Sequence, residues 1–165
     1  MGFLSLLLVA AVFGPFFLAA YAGRSTHRKM SRYVRQAVKD MNLDLSRQEQ
    51  WSNKLIGLDP LHRVLVFALR SPEGSISIKY WDLTHLTDCE IHSETHTHRL
   101  NGRKVSALNR LDLELWFGAG QDKVRLELYS RADAFGEDLE QNRAERWRQF
   151  ILPFVAAKKP QSALA

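Results

Sequence analysis

Cysteine is almost absent from this chain, which has one, Cys89, in 165 residues. A single cysteine cannot form a disulfide within its own chain, so nothing indicates a disulfide framework or an oxidising compartment. Catalytic and cofactor motifs are missing too. The sequence has no C-x-x-C, H-E-x-x-H or G-x-S-x-G, and Gly118-Ala-Gly120 lacks the third glycine of a phosphate-binding loop. We therefore expect no enzymatic activity and no cofactor, and we expect Cys89 to be a core residue.

Excess charge is absent from most of the chain. The chain has 23 basic and 18 acidic residues. Six of the basic residues and one of the acidic residues lie between residues 24 and 40, so 17 of each lie elsewhere. The whole net charge of +5 therefore belongs to that segment. A nucleic-acid-binding domain normally spreads positive charge over its folded part. The neutral remainder therefore predicts no nucleic-acid partner. The six cations are Arg24, Arg28, Lys29, Arg32, Arg35 and Lys39.

Charged side chains are also absent from residues 1–23. As a helix this segment would be about 34 Å long, enough to cross a hydrocarbon core of about 30 Å. The cations that follow should stay on the cytoplasmic side. The sequence thus predicts a single-pass transmembrane anchor over residues 1–23, with its N-terminus outside and the following domain in the cytoplasm.

A cleaved signal peptide is the alternative for the same segment, because Ala20-Tyr21-Ala22 fits an A-x-A cleavage pattern. The segment lacks the basic start of a signal peptide, and its apolar stretch is longer than the usual 7–15 residues. If it were cleaved, the remainder would be a secreted or periplasmic domain.

A basic amphipathic helix is predicted next, within a juxtamembrane segment spanning residues 24–46. From about Thr26 to Asn42, apolar residues recur at intervals of three and four, which marks one face of a helix. The cations fill the other face and would contact anionic lipid headgroups. Alternatively, they only set the membrane topology, while the apolar face packs on the domain or on a second copy in a homodimer. The apolar positions are Met30, Tyr33, Val34, Ala37, Val38 and Met41.

Alternating apolar residues predict about seven short strands within residues 47–156, after a polar stretch at Asp44–Gln50. The six-residue apolar run between Arg63 and Arg70 is typical of a strand covered on both faces. Segments 111–117 and 124–129 alternate cleanly and predict an antiparallel hairpin, whose charged residues should form a solvent face. Those residues are Asp112, Glu114, Arg125 and Glu127.

A helical period returns near the C-terminus and predicts a last helix that closes the sheet, followed by a flexible tail over residues 157–165. Its repeating positions are Leu139, Arg143, Trp147, Phe150, Ile151 and Phe154. This order of strands and helix resembles the pleckstrin-homology-like domains of membrane-associated bacterial proteins. The resemblance covers residues 50–155 and includes the strand end Trp81-Asp-Leu-Thr-His-Leu-Thr-Asp-Cys-Glu-Ile91 and the helix Glu145-Arg-Trp-Arg-Gln-Phe-Ile151.

The resemblance implies an α+β fold in which an antiparallel β-barrel or sandwich is capped by the C-terminal helix. It does not imply a phosphoinositide site, because Asp59-Pro-Leu-His-Arg63 does not supply the basic loop that such a site needs. The function that follows is a non-enzymatic, membrane-tethered interaction or scaffolding module. Its partners would be membrane lipid and a further protein.

Histidines alternate in His92-Ser-Glu94-Thr-His96-Thr-His98. On a strand these four residues share one face, with alternate side chains about 7 Å apart, so they could hold zinc or sense pH. The simpler interpretation is an exposed polar strand, since no second cluster of metal-ligating residues supports a metal site. A metal-binding or pH-responsive sensor is kept as the alternative function.

Overall fold

The computed structural model describes residues 28–100, 103–118, 122–131 and 139–155. Within them, helix α1 covers residues 28–40, seven strands follow, and helix α2 covers Glu140–Ile151. The strands are β1 Arg47–Trp51, β2 Lys54–Asp59, β3 Val64–Arg70, β4 Ile76–Asp82, β5 Leu86–Leu100, β6 Arg103–Phe117 and β7 Asp122–Ser130. Short 3-10 turns lie at Leu83–His85 and Leu152–Phe154. The predicted α+β class is confirmed.

The strands form two antiparallel sheets, β1-β2-β3-β4 and β5-β6-β7. The turn at Ser71–Gly74 joins β3 to β4, and its Ser-Pro-Glu-Gly sequence is typical of a hairpin turn. Gly74 has a φ of 92°, a left-handed conformation that glycine adopts without strain, and its N–H donates to the Ser71 carbonyl. The predicted hairpin of β6 and β7 is confirmed as well. The pair Asn101-Gly102, which is typical of a tight turn in sequence, lies outside the described residues.

Strand β3 is buried on both faces, as its apolar run predicts. One face of the first sheet pairs Leu55, Ala68 and Ile78 across three strands and lies beneath α1. The opposite face pairs Ile56 with Phe67 and packs toward the second sheet and α2. The first sheet is therefore the middle layer of the molecule.

Helix α1 is fixed to this sheet by three buried side chains, Met30, Val34 and Val38. It ends in a Schellman motif, in which Asn42 has a φ of 54° and the Leu43 N–H donates to the Val38 carbonyl at 3.0 Å. The predicted apolar face was too wide. Tyr33 and Met41, which were assigned to it, are 58% and 47% exposed because they lie at its margins.

Side-chain hydrogen bonds secure both ends of α1. Near its start, the Ser31 hydroxyl donates to Gln50 Oε1 at 2.6 Å. Just beyond its end, the Asp44 N–H donates to Asp59 Oδ2 at 2.7 Å. Gly57 allows the connecting segment to pass close to the sheet, because a Cβ there would lie 2.6 Å from Leu45 Cδ1.

Helix α2 closes the other side of the core, as predicted. Trp147 is fully buried and packs edge-on against Phe150, with ring centroids 5.6 Å apart. Leu139, placed in the same apolar stripe by its spacing, is exposed because the helix begins only at Glu140.

Glu49 attaches α2 to β1. Its carboxylate accepts hydrogen bonds from Arg143 Nε at 2.8 Å and from Arg146 Nη2 and Trp147 Nε1 at 2.9 Å. Burial opposes ionisation, but these three donors hold the pKa of Glu49 below its usual value. The polar stretch Asp44–Gln50 was not predicted to contain a strand, yet its residues 47–50 belong to β1.

Strands β5 and β6 are longer than predicted, with 15 residues each. Strand β7 pairs with β6 only from Arg110 to Phe117, so the pairing of residues 95–100 with 103–108 forms a two-stranded arm. Of the predicted segments, the anchor at 1–23 and the tail at 157–165 lie outside the described residues. Among the helices that the structure describes, none is long and apolar enough to span a bilayer.

Candidate functional site

The exposed face of α1 carries five of the six cations identified in the sequence. All five side chains are exposed, and none forms an ion pair with another described residue. They are Arg28, Lys29, Arg32, Arg35 and Lys39; Arg24 lies outside the described residues. The one acid on the helix, Asp40, accepts a hydrogen bond from the Gln36 amide at 3.0 Å instead.

This face can bind a surface only through charge. A helix that inserts into a lipid interface uses its apolar stripe, and the stripe of α1 is buried against the first sheet. The same burial means that a homodimer could use this stripe only if α1 left the sheet. The five cations therefore form an electrostatic surface whose binding should weaken as salt is added.

The described surface has a groove of about 880 Å³ where α1 passes the β3–β4 turn. Lys29 and Arg32 border it from α1, and Arg70 borders it from the end of β3. The Arg70 guanidinium lies over the turn, because a Cβ on Gly74 would be 3.6 Å from Arg70 Nη2. Three cations from two separate elements thus converge on one groove. Its other lining residues are Tyr33, Gln36, Gly74, Ser75 and Ile76.

Within the described part of the chain, no carboxylate lines this groove. The acid in the adjoining turn, Glu73, accepts a hydrogen bond from the Ser71 side chain, which lowers the pKa of its carboxyl. The opposite flank of α1 differs. There Arg35 and Lys39 line a smaller groove of about 350 Å³ that also contains Asp44. Of these two grooves, the one at the β3–β4 turn is better suited to an anion.

The histidine strand does not assemble a metal site in the part of the chain that is described. Residues 92, 94 and 96 share a face of β5, as predicted, and His92 Nε2 lies 3.5 Å from Glu94 Oε1. No group of three or more His, Cys, Asp or Glu side chains is arranged to hold a metal among the described residues. The side chain of His98 is outside them. His96 belongs to the exposed two-stranded arm.

The carboxylates of the second sheet correct a prediction. Asp112 and Glu114 were expected on a solvent-exposed face, yet both are buried. Arg110 covers Asp112 with its Nε 2.8 Å from Oδ2, and Lys123 and Arg125 cover Glu114. Burial opposes ionisation of Glu114, but these two cations hold its pKa below the usual value. Long basic side chains therefore shield acids that the alternating pattern places outward.

Two residues of types that often act in catalysis, Cys89 and Asp59, have structural roles. Burial raises the pKa of Cys89 to about 12, so its sulfur is a neutral thiol rather than a nucleophile, in line with its predicted core position. Asp59 is buried and accepts from His62 Nδ1 at 2.7 Å. The same carboxylate also accepts the backbone N–H groups of residues 44, 61 and 62, so it organises the β2–β3 turn.

Arg70 is the site residue that sequence reasoning missed. It lies 38 residues after Arg32, and only the docking of α1 on the sheet brings the two to one groove. The available signal was the Ser71–Gly74 turn, which places the end of β3 beside a reversal of the chain. No protein-family model, curated protein or solved structure matches the chain.

Proposed function

We propose that this protein is a non-enzymatic interaction module, tethered to a membrane by residues 1–23 and held against the anionic cytoplasmic leaflet by the basic face of α1. The observation that carries the proposal is the difference between the two faces of α1. Its apolar stripe is used inside the fold, whereas its five cations point outward without partners among the described residues. These cations directly follow the charge-free segment.

Electrostatics supports this assignment. Each cation near an anionic leaflet contributes on the order of 1 kcal/mol, and five exposed cations on one helix act together. A transmembrane tether would by itself keep the protein in the membrane, and the basic face would then hold the folded domain against the leaflet. The positive-inside rule favours an outside N-terminus and a cytoplasmic folded domain.

We also propose that the folded domain is pleckstrin-homology-like. The arrangement in its favour is a four-stranded and a three-stranded antiparallel sheet followed by one C-terminal helix. In this proposal the module presents a surface near the leaflet to a second protein. Crosslinking in native membranes followed by mass spectrometry tests that part: a reproducible second protein supports it, and recovery of this chain alone contradicts it.

The test of the tether is a topology experiment on the full chain. A reporter fused after Ala165 should be active in the cytoplasm, and the full-length protein should stay in the membrane fraction after a carbonate wash. A mature protein that begins near Gly23 and is released outside the cytoplasm would overturn the proposal in favour of an exported domain.

A further inference from the structure

We infer that the groove between α1 and the β3–β4 turn binds the phosphate of an anionic glycerophospholipid in the same membrane. The inference rests on the proposed function and goes beyond it, because it distinguishes one defined headgroup site from attraction spread over the whole basic face. The site consists of Lys29, Arg32 and Arg70, with Tyr33 and Ile76 beside them.

Charge complementarity supports an anionic occupant. Among the described residues, three cations from two elements line the groove, and no carboxylate does. Arg32 and Arg70 each present the forked donors that suit phosphate oxygens, and Lys29 adds a point charge one helical turn from Arg32. Gly74 has no side chain, and the Arg70 guanidinium lies beside it.

The apolar part of the lining supports a lipid rather than a free ion. Ile76 lines the groove and is half-buried, and Tyr33 lines it and is largely exposed, which suits an aromatic ring at a membrane interface. The groove, at about 880 Å³, is larger than a phosphate alone requires, which leaves room for the glycerol and the first acyl carbons.

The position of the groove relative to the proposed tether indicates that the bound lipid comes from the membrane that holds the tether. Three of the four α1 residues that line the groove, Lys29, Arg32 and Tyr33, lie in the first half of the helix, which begins at residue 28. Residues 24–27 separate the predicted anchor from residue 28, so the connection spans at most about 18 Å when fully extended. The groove is therefore held within reach of the headgroup layer, whatever the path of these four residues.

Matched variants test the site. The full-length protein in mild detergent is titrated with short-chain phosphatidylglycerol, and bound lipid is counted by native mass spectrometry. Two double variants each remove one lysine and one arginine from α1. K29Q/R32Q removes the two α1 cations that line the groove, whereas R35Q/K39Q removes two cations from the opposite flank. Arg70→Gln tests the groove from another element, with Arg99→Gln on the arm as its control.

We expect Arg70→Gln to weaken lipid binding about tenfold, the loss of one charge-assisted contact, and K29Q/R32Q to weaken it further. R35Q/K39Q should change it less than about threefold, and Arg99→Gln should leave it unchanged. Unaltered melting temperatures would show that the variants remain folded. Equal losses in both double variants, with no effect of Arg70→Gln, would refute the site and leave the basic face of the proposed function intact.

Two further outcomes separate the remaining possibilities. If the protein binds phosphatidylcholine as tightly as phosphatidylglycerol and no variant changes this, both the site and the electrostatic part of the proposed function are wrong. Inorganic phosphate is titrated in parallel. Displacement of the lipid by inorganic phosphate at an equal affinity would assign the groove to a soluble anion and overturn the lipid assignment.

Discussion

Helices α1 and α2 are both amphipathic and basic, and both press an apolar stripe onto the sheets, yet their cations have different partners. In α2, Arg143 and Arg146 bind Glu49, and Arg148 lies 3.3 Å from Glu145. In α1, no cation has a carboxylate partner among the described residues. A helix's sequence alone shows its charge; only the structure shows whether that charge is already neutralised within the fold.

The comparison indicates that the polar face of α2 serves stability, and it leaves the polar face of α1 available for the proposed binding. Arg143 illustrates the first role, since it contacts Glu49 and Glu140 and its guanidinium lies 4.6 Å above the Trp51 ring. Substitutions on the two helices should therefore separate into two classes. Those on α2 should alter unfolding, and those on α1 should alter only affinity for anions.

The largest expected effect is at the buried end of α2. Trp147→Ala should lower the free energy of unfolding by about 3–5 kcal/mol, because it leaves a cavity and removes a donor to Glu49. Urea unfolding of the full chain in detergent, followed by circular dichroism, measures this. Tyr33→Ala on α1 is the control and should cost less than about 0.5 kcal/mol. A similar loss of unfolding free energy in both variants would contradict the different roles given to the two helices.

Glu49→Gln should destabilise the protein by about 2–3 kcal/mol, because a neutral amide weakens the bonds to two guanidinium groups. The pKa of Glu49 is lowered on folding, so its stabilisation is complete above the usual value of 4.5 and is lost as the pH falls below it. Unfolding measured from pH 7 to pH 3 should therefore be less acid-sensitive in the variant. Glu73→Gln, with no partner on α2, should follow the wild-type curve more closely.

A smaller effect is expected at the junction that follows α1. Asp59→Asn should cost about 1–2 kcal/mol, since the amide cannot accept from all the donors that the carboxylate satisfies. Burial opposes ionisation of Asp59, but hydrogen bonds from the N–H groups of His62 and Asp44 and from the His62 ring hold its pKa at about 2. Its stabilisation is complete above pH 3.8 and disappears toward pH 2. The stability of Asp59→Asn should therefore fall less steeply than that of the wild type between about pH 4 and pH 2. Equal slopes would contradict the stabilising role given to the ionised Asp59 carboxylate.

The smallest effect on stability is expected from the cations of α1. R35Q/K39Q should change the free energy of unfolding by less than about 0.5 kcal/mol, because neither side chain has a carboxylate partner among the described residues. Thermal and urea unfolding measure this directly. A loss above 1 kcal/mol would show that these cations serve the fold, and that α1 and α2 do not differ in the way described.

Regular patterns predicted most of the fold. The apolar run of β3, the alternation of β6 and β7 and the spacing of Trp147 and Ile151 each depend on local burial, which a single sequence displays directly. Strand β1 was missed because Arg47-Gln-Glu-Gln50 has no apolar alternation. Its stability as a strand comes from pairing with β2 and from Glu49, whose partners lie about 95 residues further along the chain.

The candidate site was predicted only in part for a similar reason. The cations of α1 are visible as a charge cluster, but Arg70 joins them only because the helix docks across β3 and β4. The same docking decides which margin of the apolar stripe is exposed. Tyr33 and Val34 are adjacent in sequence but lie about 100° apart around the helix, and only Val34 packs on the sheet.

The two hydrogen bonds that secure α1, from Ser31 to Gln50 and from Asp44 to Asp59, have a mechanical consequence. A force applied at residue 28 is transmitted to the sheet at both ends of the helix. To separate the helix from the sheet, both hydrogen bonds must break and three buried side chains must leave the core together. The helix and the sheets should therefore turn as one rigid body. The side of the molecule that would face the proposed tether is then fixed when the protein folds.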